Sequence, residues 1–247
     1  QLLAIRNIQL LLVLAVGVFF LNHGFTSWAP TLLKERGMTL AAAGFWTAGA
    51  TAIGALGTVT ISGIAPPGRR VLTMVGLLVL ATVATVVLAF ISGYAIIAPL
   101  IVSNWARMPM IAVLSLLVME TRGVGTLRVG AAMGLFFVAA EIGGFSGPFV
   151  VGLLRDSTGE LMWGGLALAI AAGAMVVVMP FIRESKETMA DPAKFKSLSV
   201  PRKDWEELGV IATRTNRTRS KMIARLIRFY RENKGEKKNV KPNGKTG

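Results

Sequence analysis

The sequence lacks cysteine altogether and contains a single histidine. Without thiols there is no disulfide framework, no thiolate metal site and no cysteine nucleophile. The sequence also contains no Gly-rich phosphate loop, no HExxH motif and no Ser, His and Asp set. One histidine leaves little for metal or hydrolytic catalysis. We therefore expect a protein that is not an enzyme and that needs neither a metal nor a cofactor.

Charged side chains are scarce over positions 1–183, which carry 10 basic and 5 acidic side chains. Positions 184–247 carry 17 basic and 8 acidic side chains in a much shorter stretch. Soluble globular domains are about 25% charged, so the first part is not an ordinary soluble domain. The composition predicts a membrane domain followed by a small basic module.

Six long apolar segments account for the low charge of the first part. A helix needs about 20 apolar residues to cross a hydrocarbon core of about 30 Å. Helices are favoured there because they satisfy their own backbone hydrogen bonds. The predicted spans are 8–29, 40–64, 71–91, 94–119, 129–154 and 161–182. The sequence thus predicts an all-α membrane fold, with six transmembrane helices in a lipid bilayer over residues 1–183.

Basic residues in the short loops predict the orientation of these spans. If the start is cytoplasmic, seven basic residues lie inside and three outside. The inner set is Arg6, Arg69, Arg70, Arg122, Arg128, Arg183 and Lys186, and the outer set is Lys34, Arg36 and Arg155. We expect a multi-pass protein of a bacterial-type inner membrane with both ends in the cytoplasm.

Two side chains within the spans carry a full charge, Arg107 in the fourth and Glu141 in the fifth. A charge at this depth costs about 2.5 to 3.5 kcal/mol on insertion scales and should face a wet cavity or a partner. Arg107 is a candidate to bind an anionic substrate, and Glu141 is a candidate to carry a coupling proton. The alternative for both is a structural ion pair, because their midpoints lie at similar depth.

Polar neighbours extend this candidate site. Asn104 and Trp105 lie within one turn of Arg107, between two prolines that loosen helical hydrogen bonding. Asn22 and His23 lie toward the outer end of the first span, where they could line the same cavity, although an interfacial role for His23 is the alternative. The substrate and coupling candidates are Asn22, His23, Asn104, Trp105, Arg107 and Glu141.

Small residues in two spans predict close helix packing. They are Gly44, Gly49, Gly54 and Gly57 in the second span, and Gly143, Gly144, Gly147 and Gly152 in the fifth.

The order of features in this part resembles the second six-helix half of a major facilitator superfamily transporter. The resemblance is carried by Asn22-His23-Gly24, Trp28-Ala29-Pro30, Pro66-Pro67-Gly68-Arg69-Arg70, Gly147-Pro148, Gly152 and Asp156-Ser157-Thr158-Gly159. Gly68, Arg69 and Arg70 match the family's Gly-Arg-Arg signature, whereas Pro66 and Pro67 stand where the family has Asp and Arg. The departure puts the salt bridge of that motif in doubt here.

The resemblance implies alternating access for a small-molecule substrate held between two six-helix halves. The sequence starts at Gln1 and contains one such half. We therefore interpret it as a fragment of a transporter, whose missing N-terminal half would be a partner.

The basic part of the chain predicts a linker at 184–193, a small module at 194–232 and a disordered basic tail at 233–247. Within the module, alternating residues predict a strand over 195–200, ended by Pro201. Two amphipathic helices follow, the second with Thr218 as its N-cap. A module of this size needs a partner to bury a core, and pairing two strands in a homodimer supplies one.

This stretch resembles the ribbon-helix-helix repressors of the Arc and Met repressor type over residues 195–230. The carriers are Leu198-Ser199-Val200-Pro201, Trp205-Glu206-Glu207-Leu208, Ile211-Ala212, Arg214 to Ser220 in unbroken order, Met222-Ile223, Ile227-Arg228 and Tyr230. The resemblance implies binding of double-stranded DNA by a paired ribbon, with a phosphate at the start of the second helix. The implied DNA-binding residues are Phe195, Ser197, Ser199, Thr218, Arg219 and Ser220.

The sequence is compatible with three functional hypotheses. The chain could be a transporter portion with a cytoplasmic addition, or a membrane-tethered DNA-binding regulator. It could also be an artificial fusion of two neighbouring reading frames, in which case each part would keep the role of its own family.

The predicted topology can be tested by cysteine labelling, because the natural chain has no cysteine background. We expect cysteines placed at Gly68 and Gly125 to react with an impermeant maleimide in inside-out vesicles and not in intact cells. A cysteine at Arg36 should show the opposite pattern. Labelling of positions 68 and 125 from outside alone would contradict the orientation.

Overall fold

The computed structural model describes residues 2–184, 202–215 and 218–233, and these residues form helices joined by short loops, without a strand. The chain divides into two compact units, Gln1–Asp191 and Pro192–Gly247.

The first unit is built from six long helices. They are α1 (Arg6–Glu35), α2 (Leu40–Ile64), α3 (Arg70–Phe90), α4 (Ile97–Met119), α5 (Gly125–Thr158) and α6 (Leu161–Val178). Six helical segments in this unit are long and apolar enough to cross a membrane. The prediction of six apolar helices is confirmed, and the fold is compatible with a multi-pass membrane protein.

The helix ends differ from the predicted spans: α1 and α5 extend beyond them, to Glu35 and Thr158, whereas 3-10 turns shorten the α-helices of the fourth and sixth spans. Residues Gly93–Ile96 form a 3-10 turn before α4, whereas the fourth span was predicted to begin at residue 94. At the last span, α6 ends at Val178 and Met179–Phe181 tighten into a 3-10 turn. Pro180 lies in that turn, and proline lacks the N–H that would continue an α-helix.

Helix α1 lies at the centre of the bundle and packs most extensively on α5. It also contacts α2, α4 and α6, while α2 packs on α4 and α3 packs on α4 and α6. Leu11, Leu14, Val18 and Leu21 on α1 are fully buried in the core. The middle of α1 is therefore shielded by its neighbours on most sides.

Glycines permit the close approach of α5 to α1. A Cβ on Gly143 would overlap the carbonyl oxygen of Val16, and one on Gly147 would overlap that of Phe20. The predicted packing role of these two glycines thus agrees with the structure, since the backbones meet where side chains are absent.

The glycines of α2 divide into two groups. Those at 54 and 57 approach the backbone of α4, with an added Cβ 2.9 Å from the carbonyl oxygens of Asn104 and Trp105, respectively. Gly44 and Gly49 would have nothing within 4 Å of an added Cβ. The close α2–α4 contact therefore lies in the second half of α2, which packs against Asn104 and Trp105 of α4.

The second unit contains α7 (Arg202–Arg214) and α8 (Arg219–Asn233). Ala212 and Met222 are buried where the two helices meet. The Thr218 hydroxyl accepts a hydrogen bond from the Lys221 N–H at 3.4 Å, as expected of an N-cap. The predicted strand at 195–200 lies outside the described residues, so the ribbon-helix-helix assignment stays a prediction.

The tight contact between α1 and α5 gives a prediction for stability. We expect Gly143→Ala to destabilise the first unit by about 1–3 kcal/mol, because the new methyl would collide with backbone rather than a movable side chain. Gly134→Ala in the same helix is the matched control, since nothing lies within 4 Å of its Cβ position. Thermal unfolding in detergent measures both variants, and an equal response of the two would contradict the packing argument.

Candidate functional site

The most deeply buried charged group of the first unit is Arg107, in the middle of α4. Its relative exposure is 0%. Ser103 and Asn104 precede it by four and three residues, so the three side chains share one helix face. All three are buried, and together they form a polar surface directed at the central helix α1.

The guanidinium group of Arg107 is held by polar groups from two helices. On α4, Nε donates to Ser103 Oγ at 3.1 Å and Nη2 donates to Asn104 Oδ1 at 3.1 Å. Across the interface, Nη1 donates to Asn22 Oδ1 at 3.2 Å and to its carbonyl oxygen at 3.5 Å. The ring of Phe25 lies 4.0 Å below the guanidinium carbon, which is the geometry of a cation–π contact.

The two asparagines are oriented by their own helices. Asn22 Nδ2 donates to Val18 O at 3.0 Å and Asn104 Nδ2 donates to Leu100 O at 3.0 Å. Each amide therefore turns its oxygen toward Arg107. Asn22 Nδ2 also lies 3.4 Å from the Arg107 carbonyl oxygen, so α1 and α4 exchange hydrogen bonds in both directions.

None of these partners carries a negative charge. Within the described residues of the first unit, the acidic side chains that form salt bridges are Glu120, with Arg70, and Glu35, with Arg155. The Arg107–Glu141 ion pair, which was one reading of the sequence, is therefore absent from this part of the chain. Arg107 is a buried cation stabilised by dipoles and an aromatic face, without a counter-ion among the residues described.

Glu141 and His23 are exposed in the described structure and approach one another at a different place, on the α1–α5 side of the bundle. A Cβ on Gly144 would lie 3.3 Å from Glu141 Oε2 and 3.4 Å from His23 Nδ1. The imidazole stacks on Phe19, with ring centroids 5.4 Å apart and an angle of 16° between the planes. The predicted candidates thus form two groups, Arg107 with the asparagines and Glu141 with His23.

Trp105 belongs to neither group. It is half-buried and lies against α2, where a Cβ on Gly57 would be 2.9 Å from its Cδ1 atom. Its contacts indicate a packing role between α2 and α4. Ser103 and Phe25 were missed as contacts of Arg107, although each follows from helical spacing: Ser103 is four residues before Arg107 and Phe25 is three after Asn22.

A second polar cluster joins the start of α3 to the ends of α4 and the last span. Arg70 forms a buried ion pair with Glu120 at the end of α4. The Glu184 carboxylate accepts from the N–H groups of Gly68 at 2.7 Å, Arg70 at 2.8 Å and Val71 at 3.2 Å. The Gly-Arg-Arg loop therefore has acidic partners elsewhere in the chain, Glu184 and Glu120. The sequence of the loop, with prolines in place of Asp and Arg, did not predict them.

Polar groups also stabilise the α1–α5 contact near the C-terminal ends of the two helices. Trp28 Nε1 donates to Pro148 O at 2.9 Å. The Arg155 guanidinium pairs with Glu35 at 2.9 Å and lies 5.7 Å from the centre of the Trp28 ring. These contacts and the glycines join α1 and α5 closely along the C-terminal halves of both helices.

The implied DNA-binding residues of the second unit are described in part. Thr218 caps α8, and Arg219 and Ser220 are exposed at its start. The Arg219 guanidinium stacks over Trp205 of α7 at 5.0 Å. Phe195, Ser197 and Ser199 lie outside the described residues, so their placement on a ribbon stays a prediction.

The described residues contain no group of three or more His, Cys, Asp or Glu side chains that could hold a metal ion. Comparison of the chain with models of known families gives no match, and comparison with curated proteins gives none either.

Proposed function

We propose that the six-helix unit is half of a secondary-active transporter that moves a small anion by alternating access. The observation that carries the proposal is the fully buried Arg107 without an acidic partner among the described residues. An uncompensated buried charge costs several kcal/mol. Intramembrane charges of this kind commonly mark substrate or ion pathways.

A small anion fits the donors that Arg107 offers. A guanidinium group presents five N–H donors in a planar fork that matches planar oxyanions. Its present acceptors are neutral amide, carbonyl and hydroxyl oxygens, and hydrogen bonds to an ionised acceptor are roughly twice as strong as those to neutral groups. An anion that displaces the Asn22 oxygens would gain charge neutralisation, and release of Asn22 would loosen α1 from α4.

The exposed α5 face supports a second helical bundle as partner. Glu141 lies near the middle of α5, between exposed Val138 and Ile142. A charge at this position should not face lipid. We propose that a further six-helix half covers this face, so that Glu141 and His23 line the cavity between the halves. The unit would then lie in a bacterial-type inner membrane.

A second role, sequence-selective DNA binding, is proposed for the basic unit. The observation that favours it is an unburied apolar surface beside a basic helix start. Ile211, Leu226 and Ile227 are exposed by about half of their surface, whereas Arg219 and Lys221 lie at the capped start of α8. A homodimer would bury the apolar residues and place two basic helix starts on one DNA duplex.

Anion binding by the full chain tests the transporter proposal, since one half can bind without completing transport. We expect nitrate or formate, added at constant ionic strength against gluconate, to raise the thermal unfolding midpoint of the wild-type chain in detergent. An anion at about 100 times its Kd adds about 2.7 kcal/mol to stability.

Arg107→Gln should abolish this anion-dependent shift, because the substitution removes the charge. Arg128→Gln is the control, since Arg128 is exposed at the start of α5. A wild-type chain that ignores both anions, or an Arg107→Gln variant that keeps the full shift, would contradict the proposal.

DNA binding by the full chain is expected to weaken steeply as salt rises, with a logarithmic slope of about 0.9 per phosphate contacted. Arg219→Ala should weaken binding to all sequences alike and lower that slope by about 1, whereas changes at Ser197 or Ser199 should alter sequence preference. Fluorescence anisotropy with labelled duplexes measures each quantity. If the affinity for DNA does not depend on salt, the DNA-binding role is contradicted and dimerisation alone remains for this unit. A monomer in sedimentation would contradict the dimerisation role as well.

A further inference from the structure

We propose that the exposed apolar face of α8 binds an anionic lipid surface, to which the basic residues of the same helix are attracted. The inference goes beyond anion transport and DNA binding and rests on neither. The observation behind it is that α8 combines uncovered apolar side chains with a basic polar face. Amphipathic helices of this composition lie in the plane of the membrane interface.

The apolar face of α8 is defined by two pairs of residues, each one helical turn apart. Met222 precedes Leu226 by four residues, and Ile223 precedes Ile227 by four. Met222 is buried and Ile223 is half-buried. Leu226 and Ile227 are 52% and 53% exposed. The face is therefore covered within the second unit at its start and uncovered one turn later.

Basic residues occupy the opposite side of α8. Lys221, Arg225 and Arg228 follow one another at spacings of four and three residues, and all three side chains are exposed. A helix with its side chains is about 10–12 Å across, and lysine and arginine side chains extend toward a charged interface. The Debye length is about 8 Å at physiological ionic strength. These charges therefore interact with anionic headgroups when the apolar face rests on the bilayer.

An anionic bilayer satisfies both sides of α8 with one partner. DNA alone would neutralise the basic side chains but would leave Leu226 and Ile227 in water. A second copy alone would bury these two residues but would bring two sets of like charges together, which repel one another. The homodimer proposed above needs both a second copy and DNA. In the absence of DNA, the charge and the apolar surface of α8 together favour lipid.

Chain continuity strengthens the binding of α8 to a bilayer. The first unit contains six helices long and apolar enough to cross a membrane, and the second unit follows it on the same chain. Insertion of the first unit therefore makes the encounter of α8 with the same bilayer intramolecular, at a high effective concentration. A small apolar face, too weak to hold a free protein on lipid, is then sufficient.

The cysteine-free sequence permits a reporter at single positions of α8 in the full chain. An NBD fluorophore is attached at Leu226→Cys or, as the matched control, at Ala224→Cys, which is also exposed but lies outside the apolar face. The chain is placed in nanodiscs of nitroxide-labelled phosphatidylcholine, with or without phosphatidylglycerol. With phosphatidylglycerol, we expect the nitroxides to quench position 226 at least about twofold more than position 224.

A charge variant tests the basic side of the helix. Each basic residue near an anionic surface raises partitioning about fivefold. Combined Lys221→Gln, Arg225→Gln and Arg228→Gln should therefore lower the ratio of lipid-bound to free α8 about 100-fold and remove the quenching at position 226. Raising the salt concentration to about 1 M should also weaken the quenching, because the Debye length falls to about 3 Å.

Three results would overturn the lipid-binding face. The first is a position 226 that remains unquenched in discs with phosphatidylglycerol. The second is equal quenching at positions 224 and 226. The third is a blue-shifted emission at position 226 without quenching, which would place Leu226 against protein, as in a second copy of the chain. Quenching that is unchanged without phosphatidylglycerol and in the charge variant would overturn the preference for anionic lipid.

Discussion

The buried guanidinium of Arg107 is the constraint on which the arrangement of the first unit depends. A cation in the middle of an apolar bundle needs acceptors on every side, and α4 supplies two of them from its own face. The remaining acceptors come from Asn22 of α1. Helix α1 must therefore lie against α4 at this level, and a helix placed there contacts α2, α5 and α6 as well.

The contacts of α1 with α5 and with α4 differ in the kind of interaction that holds the helices together. In its contact with α5, the two backbones meet at Gly143 and Gly147. A hydrogen bond from Trp28 and a salt bridge from Glu35 add polar interactions to this contact. Its contact with α4 at mid-height depends on hydrogen bonds to a charged side chain. An anion can compete for those hydrogen bonds, whereas no ligand competes with close glycine packing.

The sequence predicted the helices well because their signal is long and local. About 20 apolar residues define a span wherever it lies in the bundle, and the six helices appear at the expected positions. Side-chain partners are harder to predict from sequence, because they depend on how each helix is rotated about its own axis. Equal depth suggested that Arg107 and Glu141 would pair, yet Arg107 faces Asn22 while Glu141 lies on another face of the bundle. The partners of Arg70 and Glu184 were missed because they belong to elements that are far apart along the chain.

Separation of the two intramembrane charges has a functional consequence that a direct ion pair would lack. If Arg107 and Glu141 formed a direct ion pair, the pair would carry no net charge and would gain little from binding a further ion. It would then serve as a structural link between helices. Because the hydrogen-bond partners of Arg107 are neutral groups, its positive charge would remain available to the anion proposed above. The asparagines hydrogen-bond Arg107 within the folded helix bundle. They leave its charge uncompensated, and this remaining charge is what an incoming anion would neutralise.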